Sequence, residues 1–99
     1  MSKISIDMND SGFQKDFFAL DKRELASLIK TLNKIRQLTW PQFYEDNGLK
    51  WEAISLKNAK ESEKIYSFRF SQKYRAVGLR QGNSLQLMSL HTDHDSAYN

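Results

Sequence analysis

The run IYSFRFSQKYRAVGLRQGNSLQLMSL, residues 65–90, alternates apolar and polar side chains along much of its length. In a strand, successive side chains point to opposite sides, so Tyr66, Phe68 and Phe70 share one face while Ser67 and Arg69 take the other. The segments YRAVGLRQ and SLQLMSL flank Gly82-Asn83, and a glycine in first place suits a two-residue hairpin turn. If Ser71-Gln72-Lys73 form a three-residue loop, Phe70 lies opposite Tyr74 and Arg69 opposite Arg75. The C-terminal third therefore reads as a meander of three or four strands.

Upstream, KISIDM alternates Ile4 and Ile6 with polar neighbours, as a short half-buried strand does. Ser11 with Gln14 reads as a capping box ahead of a helix that carries Phe13, Phe17 and Leu20 on one side. Asp21 and Glu24 repeat that start signal, and Leu25, Leu28, Ile29, Leu32 and Ile35 follow the spacing of an amphipathic helix. Its other face, with Lys22, Arg23, Lys30 and Lys34, reads as a solvated surface. Thr39 and Gln42 could cap one further turn, with Trp40, Phe43 and Tyr44 in or over the core. LKWEAISL could be a strand or an extended segment, and KNAKESEK a polar loop. The expected class is α+β: an N-terminal strand, then two helices packed on one face of a mainly antiparallel C-terminal β-meander. Residues 1–99 form a single domain, with the opposite sheet face left free for function.

Composition excludes several classes. The 99 residues contain no cysteine, which removes disulfide frameworks, cysteine-based metal sites and cysteine nucleophiles, and fits a cytoplasmic location. No apolar run is long enough for a membrane span, and the first ten residues lack the apolar core of a secretory leader. There is no Gly-rich phosphate loop, no G-x-S-x-G and no H-E-x-x-H. Net charge is only +3, so the placement of charge matters more than its sum.

That placement is uneven. Between Ile65 and Thr92 there is no carboxylate, yet Arg69, Lys73, Arg75 and Arg80 all fall there. Two arginines facing each other across a strand pair should repel unless an anion lies between them, and guanidinium forks suit phosphate oxygens. The competing arrangement pairs each arginine with a remote acid such as Glu45, Glu52 or Glu61. The tail then gathers His91, Asp93, His94 and Asp95, followed by Tyr98. Imidazoles beside cations suit RNA cleavage by its own 2′-hydroxyl, which needs a base, a cationic support for the phosphate and an acid, with no metal or other cofactor. The same tail could instead ligate a divalent metal or be an ordinary polar terminus with Tyr98 on the core.

At these residues the chain resembles the RelE/ParE superfamily of bacterial toxins, the poison half of type II toxin–antitoxin pairs, and most of all its RelE-like and HigB-like branch. The likeness rests on IYSFRFSQKYRAV, with its Tyr74-Arg75 pair, on LMSLHTDHDSAY, and on the element order. It implies an endoribonuclease, or mRNA interferase, that cleaves messenger RNA on the ribosome, inhibits translation and is neutralised by a cognate antitoxin. DNA would be met only through the toxin–antitoxin complex. Carried over by position, Arg75 would stabilise the phosphate, with Arg69, Lys73 and Arg80 as further RNA-binding cations. His94 or His91 would transfer the proton with Asp95 beside it, and Tyr98 would stack on a base or assist. The superfamily also holds gyrase-directed toxins, so the alternative is a non-catalytic toxin-like protein that binds gyrase or only its antitoxin.

Overall fold

The computed structural model describes residues 2–54 and 64–92. Its elements run β1 (Ser5–Asp7), α1 (Ser11–Ala19), α2 (Lys22–Ile35), α3 (Trp40–Glu45), β2 (Glu52–Ile54), β3 (Lys64–Arg69), β4 (Tyr74–Gln81) and β5 (Ser84–Thr92). The strands form one five-stranded sheet in the order β1-β5-β4-β3-β2. Strands β2 to β5 pair antiparallel with their neighbours, while β1 lies parallel to β5. This is the expected α+β architecture, with β1 making the sheet mixed.

The helix starts follow local hydrogen-bond chemistry. The α1 cap is Asp10, whose carboxylate accepts from the Phe13 N–H at 2.9 Å, so the Ser11 capping box is displaced by one residue. A carboxylate one position earlier takes the Phe13 N–H, and with Phe13 rather than a glutamine three residues on no reciprocal box forms there. Asp21 caps α2 through the Glu24 N–H, and Thr39 with Gln42 closes a reciprocal box at α3. Leu28, Leu32 and Ile35 of α2 are buried, and the opposite face with Lys22, Arg23, Lys30 and Lys34 is exposed.

The helices bury their apolar side on one sheet face. Phe13, Leu28, Ile35, Trp40 and Phe43 meet Tyr66, Phe68, Ala76, Leu85 and Leu87 in one continuous core. Gly78 leaves room for its neighbouring strand, because a Cβ there would stand 2.6 Å from Cδ1 of the fully buried Leu85 on β5. The other sheet face is not bare as expected: Ile54, Ile65, Val77 and Leu79 form a second buried cluster there, with Met88 against it. Strand alternation explains the change, since Ile65, Val77 and Leu79 follow the odd positions of β3 and β4 that point away from the helices, and Ile54 of β2 pairs with Ile65.

One irregularity decides which residues reach that second face. Val77 pairs with Ser89 but Gly78 pairs with Leu87, which leaves Met88 as an extra residue in β5. Without this bulge, Leu85, Leu87, Ser89 and His91 would all share the core side. With it, Leu90 takes over the core position and Ser89 and His91 turn outward. The Leu90 N–H lies beyond the reach of β1 and donates instead to Asp16 of α1 at 2.9 Å. Among the described residues, no helix is long and apolar enough to cross a membrane.

Candidate anion-binding site

The register of the meander assembles a row of nitrogen-bearing side chains. Phe70 and Ser71 donate backbone bonds to the Tyr74 carbonyl, and the Ser71 hydroxyl accepts from the Lys73 and Tyr74 N–H groups. This closes the three-residue loop and sets Arg69 directly opposite Arg75, as the spacing predicts. On the other side of β4, Arg75 stands opposite His91. Directly paired residues share a face, so Arg69, Arg75 and His91 form one cross-strand row away from the helices, roughly 10 Å across three strands. The adjacent row is Glu52, Ser67, Val77 and Ser89.

Arg75 is held by oxygens of its own fold. Its Nε donates to the Ser67 hydroxyl at 3.2 Å, and Nη2 donates to that hydroxyl at 3.0 Å and to the Lys50 carbonyl at 2.7 Å. None of these acceptors is a carboxylate, so Arg75 keeps its charge uncompensated by any described acid. The hydrogen bonds, however, supply part of the relief that a facing arginine demands. Ser67 is fully buried, and the guanidinium is one of its partners. His91 is oriented too: its Nε2 lies 2.7 Å from the Ser89 hydroxyl.

Lys50 owes its place to a corner between α3 and β2. Asp46 accepts from the Leu49 N–H at 3.0 Å and binds the Lys34 ammonium at 2.9 Å. Burial alone would raise the Asp46 carboxyl, but the Lys34 and Leu49 bonds outweigh it and hold the group below its ordinary value. At Lys50 the chain turns with φ at 46°, a left-handed conformation taken by no other non-glycine among the described residues. Neither Lys50 nor the serines at 67 and 89 stands out in the sequence. A left-handed lysine has no compositional signal, and the bulge that places Ser89 has none either.

Of the remaining expected site residues, Lys73 and Arg80 lie apart from the row. Lys73 is exposed at the loop tip, lining a cavity of about 420 Å³ with Asp21, Arg23, Glu24 and Ser27. Arg80 lies on the helix face, five residues from Arg75 and thus on the opposite side of the strand. Its guanidinium carbon sits 4.4 Å above the Trp40 ring, while Nη1 donates to the Tyr44 hydroxyl at 2.7 Å and Nε to the Gly82 carbonyl at 2.9 Å. The structure thus removes Arg80 from the cationic row and gives it a packing role. His94, Asp95 and Tyr98 lie outside the described residues. Among those described, no group of three or more acidic or histidine side chains is placed to hold a metal ion. A cavity of about 810 Å³ between β1 and α2 is lined by Ile4, Ile6, Met8, Ile29 and Leu32 among others and shares no residue with the row.

Comparison of the sequence with protein-family models and with curated proteins finds no match. A solved structure does match: a copper-bound point mutant of a toxin from Helicobacter pylori, with a TM-score of 0.52 and 22% identity over 94% of this chain and 96% of that one. The likeness spans nearly the whole of both chains and is one of fold. The chain thus shares the α+β fold of a bacterial toxin.

Proposed function

We propose that the protein is the toxin of a type II toxin–antitoxin pair and acts as an mRNA endoribonuclease of the RelE-like kind. The observation that carries this reading is the row Arg69–Arg75–His91, which joins two cations and an imidazole on one sheet face. In the proposed reaction the RNA 2′-hydroxyl attacks the adjacent phosphorus, the 5′-oxygen leaves, and a 2′,3′-cyclic phosphate remains. Arg75, supported by Arg69, meets the charge that builds on the phosphoryl oxygens. His91 or His94 exchanges the protons, and the row itself calls for no metal. A protein antitoxin would act by covering this face, and both partners would work in the cytoplasm.

A second reading has one specific observation in its favour. Arg75 spends two of its three nitrogens on Ser67 and Lys50, as a structural arginine would. On that reading the chain is a non-catalytic binder of gyrase or of an antitoxin. Inducing the protein in cells separates the two. The nuclease reading predicts arrested growth with shortened transcripts, both reversed by Arg75→Ala in a variant that still folds. Arrest with intact transcripts would rule the nuclease out.

A further inference from the structure

We propose that Lys50 and Ser67 are positioning residues that set Arg75 to meet an oxyanion end-on, through Nη1 alone. This rests on the anion-site reading above and narrows it. A guanidinium commonly grips two oxygens with a pair of parallel N–H groups. In Arg75 the edge formed by Nε and Nη2 is turned inward: Nε meets the Ser67 hydroxyl, and Nη2 meets that hydroxyl, the Ser67 carbonyl at 3.3 Å and the Lys50 carbonyl. Both hydrogens of Nη2 have acceptors in the fold. Nη1 has no hydrogen bond to a described residue, so its two hydrogens are the ones left for a ligand. The fork expected from sequence is therefore closed, and a single nitrogen makes the contact.

The backbone at Lys50 serves this arrangement. The Leu49 carbonyl accepts from the Arg69 N–H at 2.7 Å, and the very next carbonyl, that of Lys50, accepts from Arg75. In extended chain, successive carbonyls point opposite ways, so both can bond toward the sheet only if the chain turns between them. The φ of 46° at Lys50 is that turn. Backbone conformations that side chains disfavour persist where the surroundings hold them in place. Here Asp46 does so from one side and the β3 edge from the other.

The test uses side-chain nitrogen NMR of the whole chain, with inorganic phosphate as the probe. Lys50→Gly and Lys50→Val remove the same charge, but glycine accepts a positive φ and valine does not. In the wild type and in Lys50→Gly, the Arg75 Nε–H should exchange slowly, and phosphate should shift Nη1 while leaving Nε in place. In Lys50→Val that proton should exchange about tenfold faster. Ser67→Ala, which leaves the corner intact, should release Nε and let phosphate shift it. Equal exchange in the two Lys50 variants would overturn the role of the corner. Phosphate shifting Nε and Nη1 together in the wild type would overturn the end-on contact. If phosphate moves no Arg75 nitrogen while Nε–H stays slow, the anion-site reading beneath the proposal fails, and the end-on contact fails with it.

Discussion

Arg80 and Arg75 stand on one strand, yet their surroundings give them different work. Arg80 lies over Trp40 and binds Tyr44, whose hydroxyl is also 2.8 Å from that of Tyr66. Arg80→Ala removes a stacked cation and a charged hydrogen bond from a half-buried place, and should cost about 1–3 kcal/mol in urea unfolding. Burial pushes the Tyr66 phenol from its ordinary 10.0 up to about 12, with the Tyr44 hydrogen bond adding to the shift. A folded value above the unfolded one means that this contribution to stability is whole below pH 10. It is lost as pH rises from about 10 through 12. Tyr66→Phe should flatten the fall in thermal midpoint over that range. A wild-type midpoint just as flat as that of the variant would show that the phenol ionises as easily folded as unfolded. Gly78→Ala should destabilise by about 1–3 kcal/mol, because the buried Leu85 has little room to yield.

At the scale of elements, β5 matters most. Its bulge at Met88 keeps Leu85, Leu87 and Leu90 in the core while turning Ser89 and His91 to the face of Arg75. Deleting Met88 would remove the extra residue and leave a regular ladder, with Leu85, Leu87 and Leu90 still facing the core and Ser89 and His91 still facing the row. The variant loses the Met88 side chain from the edge of the second cluster, and the expected loss is about 1–2 kcal/mol, read by chemical denaturation. A loss of about 3 kcal/mol or more would mean that the bulge itself, and not only the alternation around it, is needed to place the strand. Much of this element pattern was legible in the sequence. The alternation of β3, the loop at Ser71–Lys73 and the turn at Gly82 all have local causes, and so does the pairing of Arg69 with Arg75. The bulge does not, because strict alternation scores SLQLMSL as well as the bulged register does. The capping of α1 by Asp10 rather than Ser11 turned on one residue of backbone geometry. Of the site, Arg69, Arg75 and His91 could be read from charge and spacing. Ser67, Ser89 and the Lys50 carbonyl could not, since they act through tertiary contacts between distant parts of the chain.

For the whole molecule, the helices occupy one sheet face and the nitrogen row the other, so the core can be perturbed separately from the proposed chemistry. The second face is part apolar, with Ile54, Ile65, Val77 and Leu79 buried beside the row. An RNA strand held there would thus meet the row of cations at one end of the sheet, beside this buried cluster. The account rests on that face, and not the helix side, carrying the charge that meets phosphate. The most direct test is the salt dependence of binding to single-stranded RNA for the wild type, Arg75→Ala and Arg80→Ala, each checked to be folded. A lost phosphate contact lowers the slope of log affinity against log salt by about 0.7 for a single strand. The account predicts that Arg75→Ala binds more weakly with a slope reduced by about that amount, while Arg80→Ala keeps the wild-type slope. An unchanged slope in Arg75→Ala with a reduced one in Arg80→Ala would place the nucleic acid on the wrong face and contradict it.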